Sequence, residues 1–224
     1  MLYVSPDEFS ILKARCRIER QISKKFLFLC CLTSLDDCEV TRVRVSVSGS
    51  HSTGKTSLCE NTSVLLAGSC RSEVAIIREV ARDLISAGIP LNKDATTDSY
   101  VIYIRMQLER ERMTSASTVL SDRSLVDLLA YIRAINNPTI SKDFIGMVEE
   151  VVRVESGYFD LYCYLPIEFP LIEDNTRIVD FGYQKQVDNC LKEILEGFGL
   201  KHVSLHGSLQ ERCANLVKLL AIGT

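Results

Sequence analysis

Residues 49–56 read Gly49-Ser50-His51-Ser52-Thr53-Gly54-Lys55-Thr56, a complete match to the phosphate-binding loop G-x-x-x-x-G-K-[ST]. Its surroundings matter as much as the match. Upstream, Val43, Val45 and Val47 alternate with Arg42, Arg44, Ser46 and Ser48, the period-2 pattern of a strand. Downstream, Ser57 to Ala67 reads as a helix that Gly68 should stop. In a strand–loop–helix of this kind, consecutive backbone N–H groups wrap a polyphosphate and the positive end of the helix dipole faces it. The segment Gly49 to Ser57 is therefore expected to bind a nucleoside triphosphate, with Lys55 on the β- and γ-phosphates and Thr56 on Mg²⁺.

The rest of the composition sets bounds. A chain of 224 residues suits one α/β domain of about 40–224 with an extension over 1–39, and 46 % hydrophobic content is enough for a full core. The net charge of −3 gives no global field that would favour nucleic acid or an anionic membrane, so neither is an expected partner. Nine cysteines are scattered without a C-x-x-C pair, and with three histidines they make no zinc spacing. Buried, reduced thiols and ATP chemistry point to the cytoplasm. The apolar run Phe26 to Leu32 is too short to span a bilayer. Ile11, Leu12, Ile18 and Ile22 allow an amphipathic helix, so residues 1–39 are expected to pack as an arm or dock a protein partner.

Short apolar runs then alternate with helical stretches, the signature of a parallel sheet with helices on both faces. Strands are predicted at 74–77, 118–121, 159–165 and 201–205. Helices are predicted over about 79–87, 94–113, 125–135, 141–154, 182–196 and 208–220. Ligands of such sheets sit beyond the carboxyl ends of the strands. The residues at those ends are therefore the candidates. Asp122 is the natural Mg²⁺ partner of Thr56, with a helix-capping role as the alternative. Arg123 is placed to hold an acceptor phosphate or orient a hydroxyl, with a surface salt bridge as the alternative. Glu79 can take the proton of an attacking hydroxyl, or simply pair with Arg78 or Arg82. Arg177, in the polar stretch 172–180, fits a lid arginine that neutralises the transferred group. Tyr100, Arg105 and Gln107 on the long helix are candidates to meet an acceptor base or ribose, with simple packing of that helix face as the alternative. Asn92-Lys93-Asp94 is one residue short of the guanine-reading N-K-x-D motif and precedes the third strand, so it does not argue for GTP.

The ordered set GSHSTGKTSL (49–58), REVAR (78–82), LSDRSLVDLLAY (120–131), YFDLYCYLP (158–166), IEDNTRIVD (172–180) and HGSLQER (206–212) resembles the NadR-like AAA-domain P-loop proteins. That group includes ribosylnicotinamide-kinase domains. The resemblance covers roughly residues 40–222. It implies a three-layer nucleoside- or nucleotide-kinase-like core with strand order 2-3-1-4-5, triphosphate and Mg²⁺ on Lys55 and Thr56, an Asp122-Arg123 pair similar to that of thymidylate kinases, and Arg177 as the lid arginine. The expectation is an ATP- and Mg²⁺-dependent kinase that phosphorylates a small nucleoside- or nucleotide-type acceptor through Lys55, Glu79, Asp122, Arg123 and Arg177. The alternative is a nucleotide-dependent switch with slow hydrolysis.

Overall fold

The computed structural model describes residues 42–69, 73–168 and 181–222. The arm predicted over 1–39, and Arg177 with its polar stretch, lie outside the described residues. Five parallel strands, β1 (Val43–Ser48), β2 (Val74–Ile77), β3 (Thr118–Asp122), β4 (Leu161–Tyr164) and β5 (His202–Ser204), form one sheet in the order β2-β3-β1-β4-β5. Between them run α1 (Lys55–Ser69), α2 (Val80–Ser86), α3 (Thr97–Met113), α4 (Leu125–Ile135), α5 (Lys142–Glu155), α6 (Phe181–Gly197) and α7 (Leu209–Ile222). The predicted α/β class and the strand order 2-3-1-4-5 are what the sheet shows.

Two cores, one on each face of the sheet, make three layers. Val45 and Val47 of β1, Cys163 of β4, Leu58 of α1 and Leu216 of α7 share one core. Tyr162 and Tyr164 of β4 pack on the other, with Leu129 of α4 and Leu191 of α6. β1 therefore has no solvent face. Ser46 and Ser48, which alternation alone would place outward, are 0 % exposed. Their small hydroxyls satisfy each other at 3.1 Å and leave room for α4 to approach.

Local chemistry sets the element ends. Ser124 and Asp127 form a reciprocal capping box at the start of α4, and Asn136 closes it with a left-handed φ of 46°. A second box, Thr96 with Ser99, starts α3 at Thr97 rather than at Asp94 as predicted; residues Asn92–Asp94 form a separate 3₁₀ turn. Gly68 does not stop α1, which continues to Ser69. A glycine in a last turn costs only about 1 kcal/mol relative to alanine, too little to break a helix that packs along its length. Among the described residues, no helix is long and apolar enough to cross a membrane. Cys59, Cys163 and Cys213 are buried free thiols, and Cys190 is half-buried and free.

Candidate functional site

Five strand ends deliver their loops to one edge of the sheet. The loop after β1 is built by backbone geometry that its glycines permit. A Cβ on Gly49 would lie 2.8 Å from the Leu165 carbonyl oxygen, so no side chain fits there. Gly54 has φ +88° and Ser52 φ +61°, the positive-φ turns that point successive N–H groups into one concavity. Lys55 is 5 % exposed, and its ammonium folds back to donate to the Ser50 carbonyl. Burial, reinforced by the Arg123 charge, pulls its pKa from 10.5 down to about 7.

Thr56 and Asp122 meet as predicted: the Thr56 hydroxyl donates to Asp122 Oδ2 at 2.6 Å. Asp122 does not cap α4, because Ser124 does. Its other oxygen, Oδ1, is buried without a hydrogen-bond partner in the protein. A hydroxyl beside a carboxylate with one uncommitted oxygen suits a hard divalent cation that takes its remaining ligands from phosphate and water. The residues present therefore fit Mg²⁺.

Beside the loop, Glu79 and Arg123 face each other across the ends of β2 and β3. Arg123 Nε donates to Glu79 Oε1 at 2.7 Å, and Arg82 Nε donates to Oε2 at 3.0 Å. Burial would raise the pKa of Glu79, but the charges of Arg123 and Lys55 and the Arg82 hydrogen bond outweigh it and hold the carboxyl at about 2. Glu79 pairs with Arg82, as the ion-pair alternative foresaw, and with Arg123 as well. Arg123 is 5 % exposed with φ +82°, a conformation that is costly for a non-glycine residue and that aims its guanidinium back over the Tyr131 ring at 4.9 Å.

This pair stands at the head of a cleft enclosing roughly 750 Å³, its open mouth included. The walls carry His51, Tyr100, Tyr103, Tyr131 and Tyr183 with Leu91, Leu128 and Ile135. His51 stacks on Tyr183 with ring centroids 5.8 Å apart, and Tyr183 meets Tyr131 edge-on at 6.1 Å. The Tyr100 hydroxyl is buried without a hydrogen-bond partner in the protein, and burial raises its pKa to about 12, so it stays a neutral donor.

Lys55, Thr56, Glu79, Asp122 and Arg123 are thus brought together, and Tyr100 joins them through the cleft. The other two residues of the long helix are placed elsewhere. Arg105 is exposed and pairs with Glu109, one turn away. Gln107 is buried, donating to Glu111 at 2.8 Å. His202 contacts the Leu200 carbonyl, and His206 pairs with Glu168.

Asp127 is the main residue that the reading of the motifs passed over. It is 1 % exposed and receives Gly49 N at 3.0 Å, Ser48 Oγ at 2.9 Å and Ser124 N at 3.0 Å. The S-x-x-D signature of a capping box at 124–127 was the available signal, and the 127, 131 spacing puts Asp127 and Tyr131 on one side of α4.

Comparison with known proteins bears on the family and the fold. Residues 44–212 match the sequence profile of a family described as an AAA domain. No curated protein matches the sequence. Among solved structures, a NadR protein in complex with NAD and AMP-PNP has a TM-score of 0.62 at 20 % identity, covering 80 % of this chain and 48 % of that one. A NadR protein in complex with NR gives 0.57 at 21 %, covering 75 % and 44 %. The thymidylate kinase of Ehrlichia chaffeensis gives 0.57 at 15 %, covering 80 % and 99 %. This chain spans just under half the length of the two NadR chains. The fold is that of P-loop kinases, and a profile match over well more than half of its residues makes the chain a member of that AAA-domain family.

Proposed function

We propose that this protein is an ATP-dependent kinase that phosphorylates a hydroxyl group of a small aromatic acceptor of the nucleoside type. The observation that carries the proposal is a carboxylate, Glu79, at the junction of the phosphate loop with a cleft walled by four tyrosines and a histidine. A planar heterocycle stacks well on such walls, and the Tyr100 hydroxyl supplies a directional contact. A phosphate acceptor needs no base, because its oxygen is already anionic. An alcohol has a proton to lose. A NadR protein with this fold has been solved in complex with NR, which supports a small-molecule acceptor here.

The chemistry then follows from this chain's own groups. Lys55 would leave the Ser50 carbonyl for the β- and γ-phosphates, and the loop amides would take the remaining oxygens. Thr56 and Asp122 would hold Mg²⁺, which would supply neutralisation of the phosphate charge. Glu79 would accept a hydrogen bond from the acceptor hydroxyl and aim it. The hydroxyl oxygen bonds to the γ-phosphorus as the bond from that phosphorus to the β,γ-bridging oxygen breaks, ADP leaves, and the proton passes to the Glu79 carboxylate. A carboxyl at about pKa 2 is a weak base, which suits a loose transition state in which the hydroxyl loses its proton late. Arg123 fixes Glu79, and Arg177, outside the described residues, is proposed to steady the transferred group. The cytoplasm, with its ATP pool, is the proposed setting, and residues 1–39 are the proposed site for a protein partner.

Glu79→Gln tests the assignment. The amide keeps the shape but loses the charge and the proton acceptor, so kcat should fall by roughly 10²–10³ while the acceptor KM changes little. A kcat within threefold of wild type would remove Glu79 from the chemistry.

A further inference from the structure

The phosphate loop is gripped from outside at alternate peptide units. The Gly49 carbonyl accepts from Arg123 Nη1 at 3.3 Å, the His51 carbonyl from Gln184 Nε2 at 2.7 Å, and the Thr53 carbonyl from Arg212 Nη1 at 2.9 Å. The Ser50 carbonyl between them behaves differently, accepting from the Lys55 ammonium and from Thr53 Oγ1 at 3.0 Å. The three outer donors come from three different places: the end of β3, the first turns of α6, and α7. All are buried, Gln184 to 0 % and Arg212 to 1 % exposure.

In a trans peptide the C=O of one residue and the N–H of the next point in opposite directions. A side chain that holds the His51 carbonyl outward therefore turns the Ser52 N–H inward, and one that holds the Thr53 carbonyl outward does the same for the Gly54 N–H. Those are the two units whose following residues carry positive φ, +61° at Ser52 and +88° at Gly54. A flip of either peptide would remove a donor from the concavity.

We infer that Gln184 and Arg212 are positioning residues that pre-form the phosphate cradle by locking the His51–Ser52 and Thr53–Gly54 peptides with their N–H groups inward. Arg212 is itself held: its Nη2 donates to Glu168 Oε2 at 2.8 Å, and the same oxygen accepts Gly207 N at 2.9 Å. Gln184 follows Tyr183, which lines the aromatic cleft and stacks on His51. One turn of α6 thus touches both the acceptor cleft and the back of the loop. The inference rests on the reading of residues 49–57 as a triphosphate site.

The test is the affinity of Mg-ATP and of inorganic tripolyphosphate with Mg²⁺, measured by calorimetry on the full chain for wild type, Gln184→Met, Arg212→Met and Arg212→Lys. Gln184→Met preserves length and apolar volume but has no donor. It should weaken both ligands by the same factor, roughly tenfold for one lost orienting hydrogen bond. Arg212→Lys should recover part of what Arg212→Met loses. Tripolyphosphate carries no base or ribose, so equal losses place the effect in the cradle, which a merely structural role in the folded core would not do. Should Arg212→Met fail to fold, Gln184→Met decides alone. Wild-type affinity in Gln184→Met, or a loss confined to ATP, would overturn the inference. A wild-type protein that binds neither ligand would instead sink the triphosphate reading itself, and the inference with it.

Discussion

Lys55→Ala is expected to lower kcat/KM for ATP by about 10³ or more while leaving the folded protein at least as stable as wild type. The two halves of that result have separate causes. Catalysis loses the one lysine that can reach the triphosphate from within the loop. Stability loses nothing, because a buried ammonium beside Arg123 is costly to keep charged, as its pKa of about 7 records. The sign with pH is definite. Between about pH 7 and 10.5 the unfolded chain still holds the Lys55 proton and the nucleotide-free folded chain has released it, so stability rises with pH across that window. Below the window both states are protonated and the full penalty of the buried charge remains. Denaturant unfolding at pH 6.5 and 9 should show Lys55→Ala gaining more on wild type at the lower pH. A variant that is less stable than wild type at pH 6.5, or that turns over normally, contradicts this account.

Asp127→Ala is the largest expected loss of stability. The carboxylate receives two backbone N–H groups and the Ser48 hydroxyl, and all of these donors are buried. Burial pushes its pKa up, while the Arg123 and Lys55 charges and the hydrogen bonds from Gly49 and Ser48 oppose that shift. Alanine would leave the donors unsatisfied and undo the α4 capping box, at a cost of roughly 3–5 kcal/mol. For a domain of this size that corresponds to a fall in Tm of about 6–20 °C. Asp127→Asn, which keeps an acceptor, should lose less. Thermal unfolding of both variants checks the order; an Asp127→Ala protein within 1 kcal/mol of wild type would show that the site tolerates orphaned donors.

Much of the fold was legible because it is written in local patterns. The Val43-Val45-Val47 alternation, the complete phosphate loop and the helix-strand alternation behind it lead to a parallel sheet, and the family resemblance adds its strand order. Thr56 and Asp122 were readable as neighbours because the loop that follows β1 leads into Thr56 and β3 ends on Asp122 at the same edge of the sheet. What escaped has a common physical origin. The inward turn of Ser46 and Ser48 reflects burial of both sheet faces, a tertiary fact that overrides alternation. Gln107 and Arg105 looked alike as polar residues on one helix, yet the packing of α3 buries one and exposes the other. The grip of Gln184 and Arg212 on the loop joins residues 133 and 159 positions apart, which no window of sequence contains. The aromatic cleft is assembled in the same way, from the loop after β1 and from α3, α4 and α6.

The central claim is that phosphate moves from ATP to a hydroxyl held in the aromatic cleft. The most direct measurement is ATP-to-ADP turnover with Mg²⁺ in the presence of a panel of nucleosides, nicotinamide riboside among them, and of their 5′-monophosphates, with the phosphorylated product identified by mass spectrometry. The account predicts strong stimulation by a nucleoside, one phosphate added to it per ADP formed, and no comparable stimulation by the monophosphates. Slow turnover that is indifferent to every acceptor would contradict it and leave a nucleotide-dependent switch as the better reading of the same loop.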